Sequence, residues 1–111
     1  MRVQTEVVGP VTLVHLTGDL VIGDPEATFK QEMSALVKSG KINLVIDLAS
    51  VHYLDSTGLG SLVRTYTSTK RAGGTTKLLN VGERNRKILE ITRLSTVFEI
   101  FEDRAAALSS F

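Results

Sequence analysis

Asp55-Ser56-Thr57-Gly58-Leu59-Gly60 sets two hydroxyls beside a carboxylate, just after the apolar segment Ile42 to Leu48 and at the opening of a helical pattern. Residues at a helix entrance lie close to backbone N–H groups that lack an intrahelical partner. Asp, Ser and Thr are all natural caps there, and the sequence leaves open which of Asp55, Ser56 and Thr57 takes the role. A hydroxyl on such a turn is exposed. Phosphate is the group this setting suits, because a helix N-terminus favours negative charge. Gly58 and Gly60 have two readings: close approach of a partner to the backbone, or tight packing of the helix on the sheet.

Other chemistries fit less well. Asp55, Ser56 and His52 lie within one short loop, where a nucleophile, base and orienting acid cannot easily line up, and no Gly-x-Ser-x-Gly elbow occurs. His15 and His52 are the only histidines and there is no cysteine, which leaves disulfides, thiol catalysis and a metal centre without ligands. His15, in a strand with Val11 and Leu13, reads as structural. Gly18 to Gly23 has the spacing of a phosphate loop, but Asp24-Pro25 stands where Lys and Ser/Thr would be needed. Arg84, Arg86 and Lys87 form a basic patch to which Arg71 and Lys77 could add. Without interleaved aromatics it reads as a solvated helix face rather than a nucleic-acid site.

A chain of 111 residues can bury one sizeable core. Its formal charge is +1, unevenly spread: residues 1–60 hold 4 Lys/Arg against 7 Asp/Glu, and residues 61–111 hold 9 against 5. That is either ordinary surface variation or two faces of opposite sign, one of them meeting a partner. The first residues lack the apolar run of a signal peptide, and no stretch approaches the roughly 20 apolar residues of a spanning helix. The expectation is a soluble cytoplasmic protein without membrane insertion.

Positioning the hexapeptide requires an alternating scaffold. Val3 to Val8 and Val11 to Thr17 read as a hairpin across Gly9-Pro10. Asp24-Pro25-Glu26 reads as a helix start with Asp24 as cap; Phe29, Met33, Leu36 and Val37 give one buried stripe, and Gly40 ends it. Ile42 to Leu48 suits a central strand. Leu59, Leu62, Val63 and Tyr66 give a second amphipathic helix, with Leu59 read as core, ending at Gly73-Gly74. Thr75 to Asn80 is a strand, and Glu83 to Thr92 a short helix with Ile88, Leu89 and Ile91 as its apolar members. Val97 to Phe101 reads as a short strand and Asp103 to Leu108 as a closing helix. The fold class is α/β: a mixed, largely parallel sheet of four to five strands, with an N-terminal hairpin and about four helices, forming one domain over 1–111. Strand carboxyl ends carry function in such sheets, which places Thr17-Gly18-Asp19-Leu20 near the hexapeptide.

Val51-His52-Tyr53-Leu54-Asp55-Ser56-Thr57-Gly58-Leu59-Gly60 resembles the signature of anti-sigma factor antagonists, members of the sulfate-transporter and anti-sigma-antagonist (STAS) domain family. Leu16-Thr17-Gly18-Asp19-Leu20, Arg71-Ala72-Gly73-Gly74 ahead of Lys77-Leu78-Leu79-Asn80, and Leu89-Glu90-Ile91-Thr92-Arg93-Leu94 with Val97-Phe98 resemble further family segments, so the likeness covers nearly the whole chain. The resemblance implies partner switching rather than catalysis, without a cofactor. Such a protein binds an anti-sigma factor serine kinase and so frees the sigma factor. Phosphorylation by that kinase, here at Ser56, ends the binding, and a serine phosphatase restores it. Asp19, Asp55, Ser56, Thr57 and Gly58 would line the docking face of a monomer or weak dimer. The family's alternative role is a regulatory subunit or scaffold of a membrane transporter or stress-sensing complex. One departure stands out: better-known members carry Asp after the Gly-Asp/Glu-Leu triplet, where this chain has Val21. Any acidic role there is absent or falls to Asp19 or Asp24.

Overall fold

The computed structural model describes residues 1–111. The hairpin forms as expected: β1 (Arg2–Val8) runs antiparallel to β2 (Val11–Thr17), with Val8 opposite Val11. There follow α1 (Asp24–Lys38), β3 (Asn43–Ser50), α2 (Ser56–Arg71), β4 (Thr75–Leu79), α3 (Glu83–Ile91), a short 3-10 turn (Leu94–Thr96), β5 (Ile100–Phe101) and α4 (Arg104–Ser109). The strands lie side by side in chain order, β1-β2-β3-β4-β5, and every pair after the first is parallel.

That order explains the layering. Each crossover steps one strand in the same direction, so crossovers of one hand deliver α1, α2 and α3 to the same face. There Phe29, Met33, Leu59, Leu62 and Leu89 meet the inward residues Val14, Leu16, Leu44, Ile46 and Leu78 in the larger core. The alternate strand residues, Val11, Leu13, Val45 and Leu79, face the other way, onto Ala107 of α4. The central strands are therefore covered on both faces.

Four expectations are corrected. Asp24 is the first residue of α1 and not its cap; Gly23, at φ 106°, holds that place with no side-chain bond. Ile91 is 82% exposed, because it lies about 200° round the helix from the buried Leu89. The expected strand at Val97 shrinks to two residues: Phe98 N–H still bonds back to Leu94, and its buried ring meets Tyr66 edge-on at 5.3 Å. Lys77 does not join the basic patch, for strand alternation sends it with Leu79 to the α4 face, opposite α3.

Lys77 is only 7% exposed and well supplied there. Its ammonium donates to the Ser110 carbonyl at 2.8 Å and to the Ser110 hydroxyl at 2.9 Å, pairs with Glu99 at 3.1 Å, and lies 4.4 Å from the Phe111 ring centre. Together these tie the end of α4 to β4. Lys77→Ala is expected to cost about 1–3 kcal/mol from lost charge-assisted bonds and packing. Chemical denaturation measures that loss, and faster amide exchange at Ser109 and Ser110 would accompany it. His15 is satisfied on the same face, with Nδ1 2.9 Å from Asp47 Oδ2 and Nε2 3.6 Å from Glu6.

Candidate functional site

Beyond its last residue, β2 does not leave β3. Gly18 N–H donates to the Ser50 carbonyl and Leu20 N–H to the Tyr53 carbonyl, each at 3.1 Å, and Leu20 forms a parallel bridge with Leu54. Leu20, Val51 and Leu54 are buried beneath the two loops and pin them to the core. The backbone of exposed Asp19 is thereby carried alongside the hexapeptide, which enters α2 at Ser56.

Asp55 takes the cap that the sequence left open. Its Oδ1 accepts the Gly58 N–H at 2.8 Å, closing the first turn of α2. Its Oδ2 accepts the Ile22 N–H, also at 2.8 Å, from the loop between β2 and α1. One carboxylate thus joins two loops that are 33 residues apart in sequence. The Ile22 N–H and then the Gly58 N–H, with a lesser share from Thr57, hold the Asp55 carboxyl below the usual aspartate range, against the opposing effect of lost hydration.

The sign of the pH dependence follows. A carboxylate whose pKa is lowered on folding stabilises the fold above its unfolded pKa, about 3.9, and loses that contribution as pH falls through the folded value. Asp55→Asn keeps an oxygen for Gly58 N–H but has an amide where Ile22 N–H needs an acceptor. The variant is expected to melt below the parent at neutral pH, with the gap closing as pH drops below about 4. Melting temperatures from about pH 7 down to about pH 2 check this.

With Asp55 as cap, Ser56 is relieved of that work. It is the exposed first residue of α2, and its hydroxyl bonds to no other protein group. Thr57 is half-buried. Gly58 is buried against the β2–α1 loop, where a Cβ would overlap the Leu20 carbonyl oxygen. Leu59, 8% exposed, belongs to the core. Gly60 is exposed with nothing within 4 Å of a Cβ position. Val21 is half-buried, and its carbonyl accepts the Glu26 N–H at 3.1 Å, inside the turn that starts α1.

Two residues that sequence reasoning passed over belong to this surface. Ile22 is 71% exposed although its backbone is held by Asp55. The signal was an apolar residue between Val21 and Gly23-Asp24-Pro25, where no periodic element could bury it. Tyr53 is also exposed, and the Arg84 guanidinium stacks 4.3 Å from its ring centre. Of the basic patch, Arg84 and Lys87 line an open cleft with Tyr53; Arg86 turns to Glu102 at 3.4 Å, and Asn85 is buried, donating to the Val51 carbonyl at 2.9 Å. Asn85 thus supports the loop that leads to Ser56.

Comparison with known proteins gives the family and the fold. The STAS domain model matches residues 2–107. The anti-sigma-B factor antagonist of Bacillus subtilis is 38% identical over 87 residues, 78% of this chain and 78% of that protein. The crystal structure of an anti-sigma factor antagonist from Mycobacterium paratuberculosis superposes with a TM-score of 0.83 at 27% identity, covering 98% of this chain and 92% of that one. The phosphorylated form of the Bacillus cell fate determinant SpoIIAA shares the fold, with a TM-score of 0.77 at 19% identity and 97% of both chains covered. An exposed serine at a capped helix entrance, on a five-stranded sheet of this order, is thus found in a chain that belongs to the STAS domain family and, within it, to the anti-sigma factor antagonists.

Proposed function

We propose that this protein binds an anti-sigma factor that is also a serine kinase, releases the sigma factor by doing so, and is switched off by phosphorylation at Ser56. The observation that carries the reading is the division of labour at α2: Asp55 caps the helix, leaving the Ser56 hydroxyl exposed and uncommitted. Transfer would form a bond between Ser56 Oγ and the γ-phosphorus of ATP and break the bond to ADP; the hydroxyl proton would go to a base of the kinase. A serine phosphatase would reverse the modification by hydrolysis.

Docking would use Asp19, Asp55, Ser56, Thr57 and the Gly58 backbone, with Ile22 as an apolar anchor at the edge. An exposed isoleucine held on a clamped loop offers apolar area at little ordering cost. Phosphate brings about −1.5 to −2 charges to a surface that already holds Asp19 and Asp55. The α2 N-terminus accommodates that charge locally, so the effect falls on the partner through repulsion and desolvation.

The test is intact mass and fragment mapping after incubation with ATP and each candidate anti-sigma kinase of the same genome. One phosphate at Ser56 is the expected result. Stable binding without phosphate would leave a phosphorylation-independent adaptor and direct attention to Val21. Neither binding nor phosphate would favour the alternative of a transporter subunit or stress-complex scaffold.

A further inference from the structure

We propose that the groove between α1 and α2 is a binding site for a phosphate-sized oxyanion, separate from Ser56. The groove has a volume of about 150 Å³, and its rim carries two cations, Lys30 of α1 and Arg64 of α2. Neither takes part in any of the protein's ion pairs, which engage Glu6, Asp47, Glu83, Glu99 and Glu102 with other bases.

The hydroxyls give the second observation. Ser34, Ser61, Thr65 and Ser68 line the same groove. Helical threonines here usually spend their hydroxyls on their own helix: Thr65 bonds to the Ser61 carbonyl at 2.9 Å, and Thr67 and Thr92 bond back in the same way. Ser61 does not. It is only 4% exposed, and its Oγ has no hydrogen-bond partner. A buried hydroxyl without a partner is costly and calls for an acceptor or donor from outside the chain. Two unpaired cations beside it select an anion, and hydroxyl donors with a guanidinium select oxygen ligands. The volume suits one tetrahedral group and not an inserted helix. Met33 lines the groove as its apolar member.

The site is not the phosphorylation site by another route. Ser61 lies five residues after Ser56, about 140° round α2 and about 7.5 Å along it. An oxyanion held there would brace the middle of α2 against α1, the two helices that flank the docking loops.

The experiment is an amide-shift NMR titration of the whole chain with inorganic phosphate at constant ionic strength set by chloride. A second arm uses methyl phosphate, to separate a free anion from a phosphate carried on a larger molecule. Saturable shifts centred on Ser34, Ser61, Arg64 and Ser68 are expected with one or both ligands. Arg64→Gln and Lys30→Gln, both at exposed positions, should each weaken binding about tenfold. Ser61→Ala should weaken it as well, while leaving the melting temperature without phosphate unchanged or higher, since it removes an unsatisfied group. Shifts that fail to saturate, that chloride reproduces, that centre on Ser56, or that persist at full strength in Arg64→Gln would overturn the proposal.

Discussion

Ser56→Asp is expected to lose about tenfold or more in affinity for the anti-sigma kinase proposed as partner while folding as well as the parent, and Ser56→Ala to bind at parental strength and stay bound in the presence of ATP. What matters is where the charge lands. Ser56 is the exposed first residue of α2, where a negative group is locally favourable by about 0.3–1 kcal/mol. Stability should therefore hold or rise slightly. The same charge sits beside Asp55 and across from Asp19, on a face with no lysine or arginine in the loop 18–24 or in residues 51–60 to offset it. Aspartate carries one charge where phosphate carries about −1.5 to −2, so the variant sets a lower bound on the effect of phosphorylation. Calorimetric titration of each variant against the kinase, with thermal melts alongside, separates affinity from folding. Equal affinities for the two variants would sink the switch.

The scaffold was legible because its elements obey local rules. Gly9-Pro10 between two β-rich runs announced the hairpin, and the continuous apolar run ending at Leu48 announced a strand covered on both faces. What escaped depended on which face an element turns to its neighbours. Ile91 looked like core by composition, yet Asn85 and Leu89 are the residues α3 buries, because the Val51 carbonyl needs the Asn85 amide. Lys77 looked like part of a basic surface, yet alternation within β4 placed it under α4, where Ser110, Glu99 and Phe111 receive it. At the site, residue types and order were readable, but the cap was not. Asp55, Ser56 and Thr57 are equivalent until the β2–α1 loop is seen to bring the Ile22 N–H to the second oxygen of Asp55. The same contact fixes the backbone of Ile22, whose side chain is exposed.

The two glycines of the hexapeptide should separate by substitution with alanine, and in opposite directions. Gly58 is buried, and a Cβ there would overlap the Leu20 carbonyl oxygen and come within 3.1 Å of Leu20 Cγ. That oxygen belongs to the chain segment paired with Tyr53 and Leu54, and Leu20 itself is fully buried, so neither side can yield cheaply. Gly58→Ala should cost about 1–3 kcal/mol, as overpacking of a close contact does, and should part the β2–α1 loop from the start of α2. Gly60, two residues on, has open space at its Cβ position and an ordinary negative φ within the helix. Gly60→Ala should therefore gain up to about 1 kcal/mol, from helix propensity and a less flexible unfolded chain. Urea denaturation measures both. The informative quantity is then binding to the kinase. Gly58→Ala would weaken it by displacing the loops, whatever the partner touches. If Gly60→Ala also weakens it while raising stability, the small residue is there to admit the partner's backbone. If binding is unchanged, Gly60 has no part in docking, and the close approach that the hexapeptide requires is the internal one, between α2 and the Leu20 carbonyl.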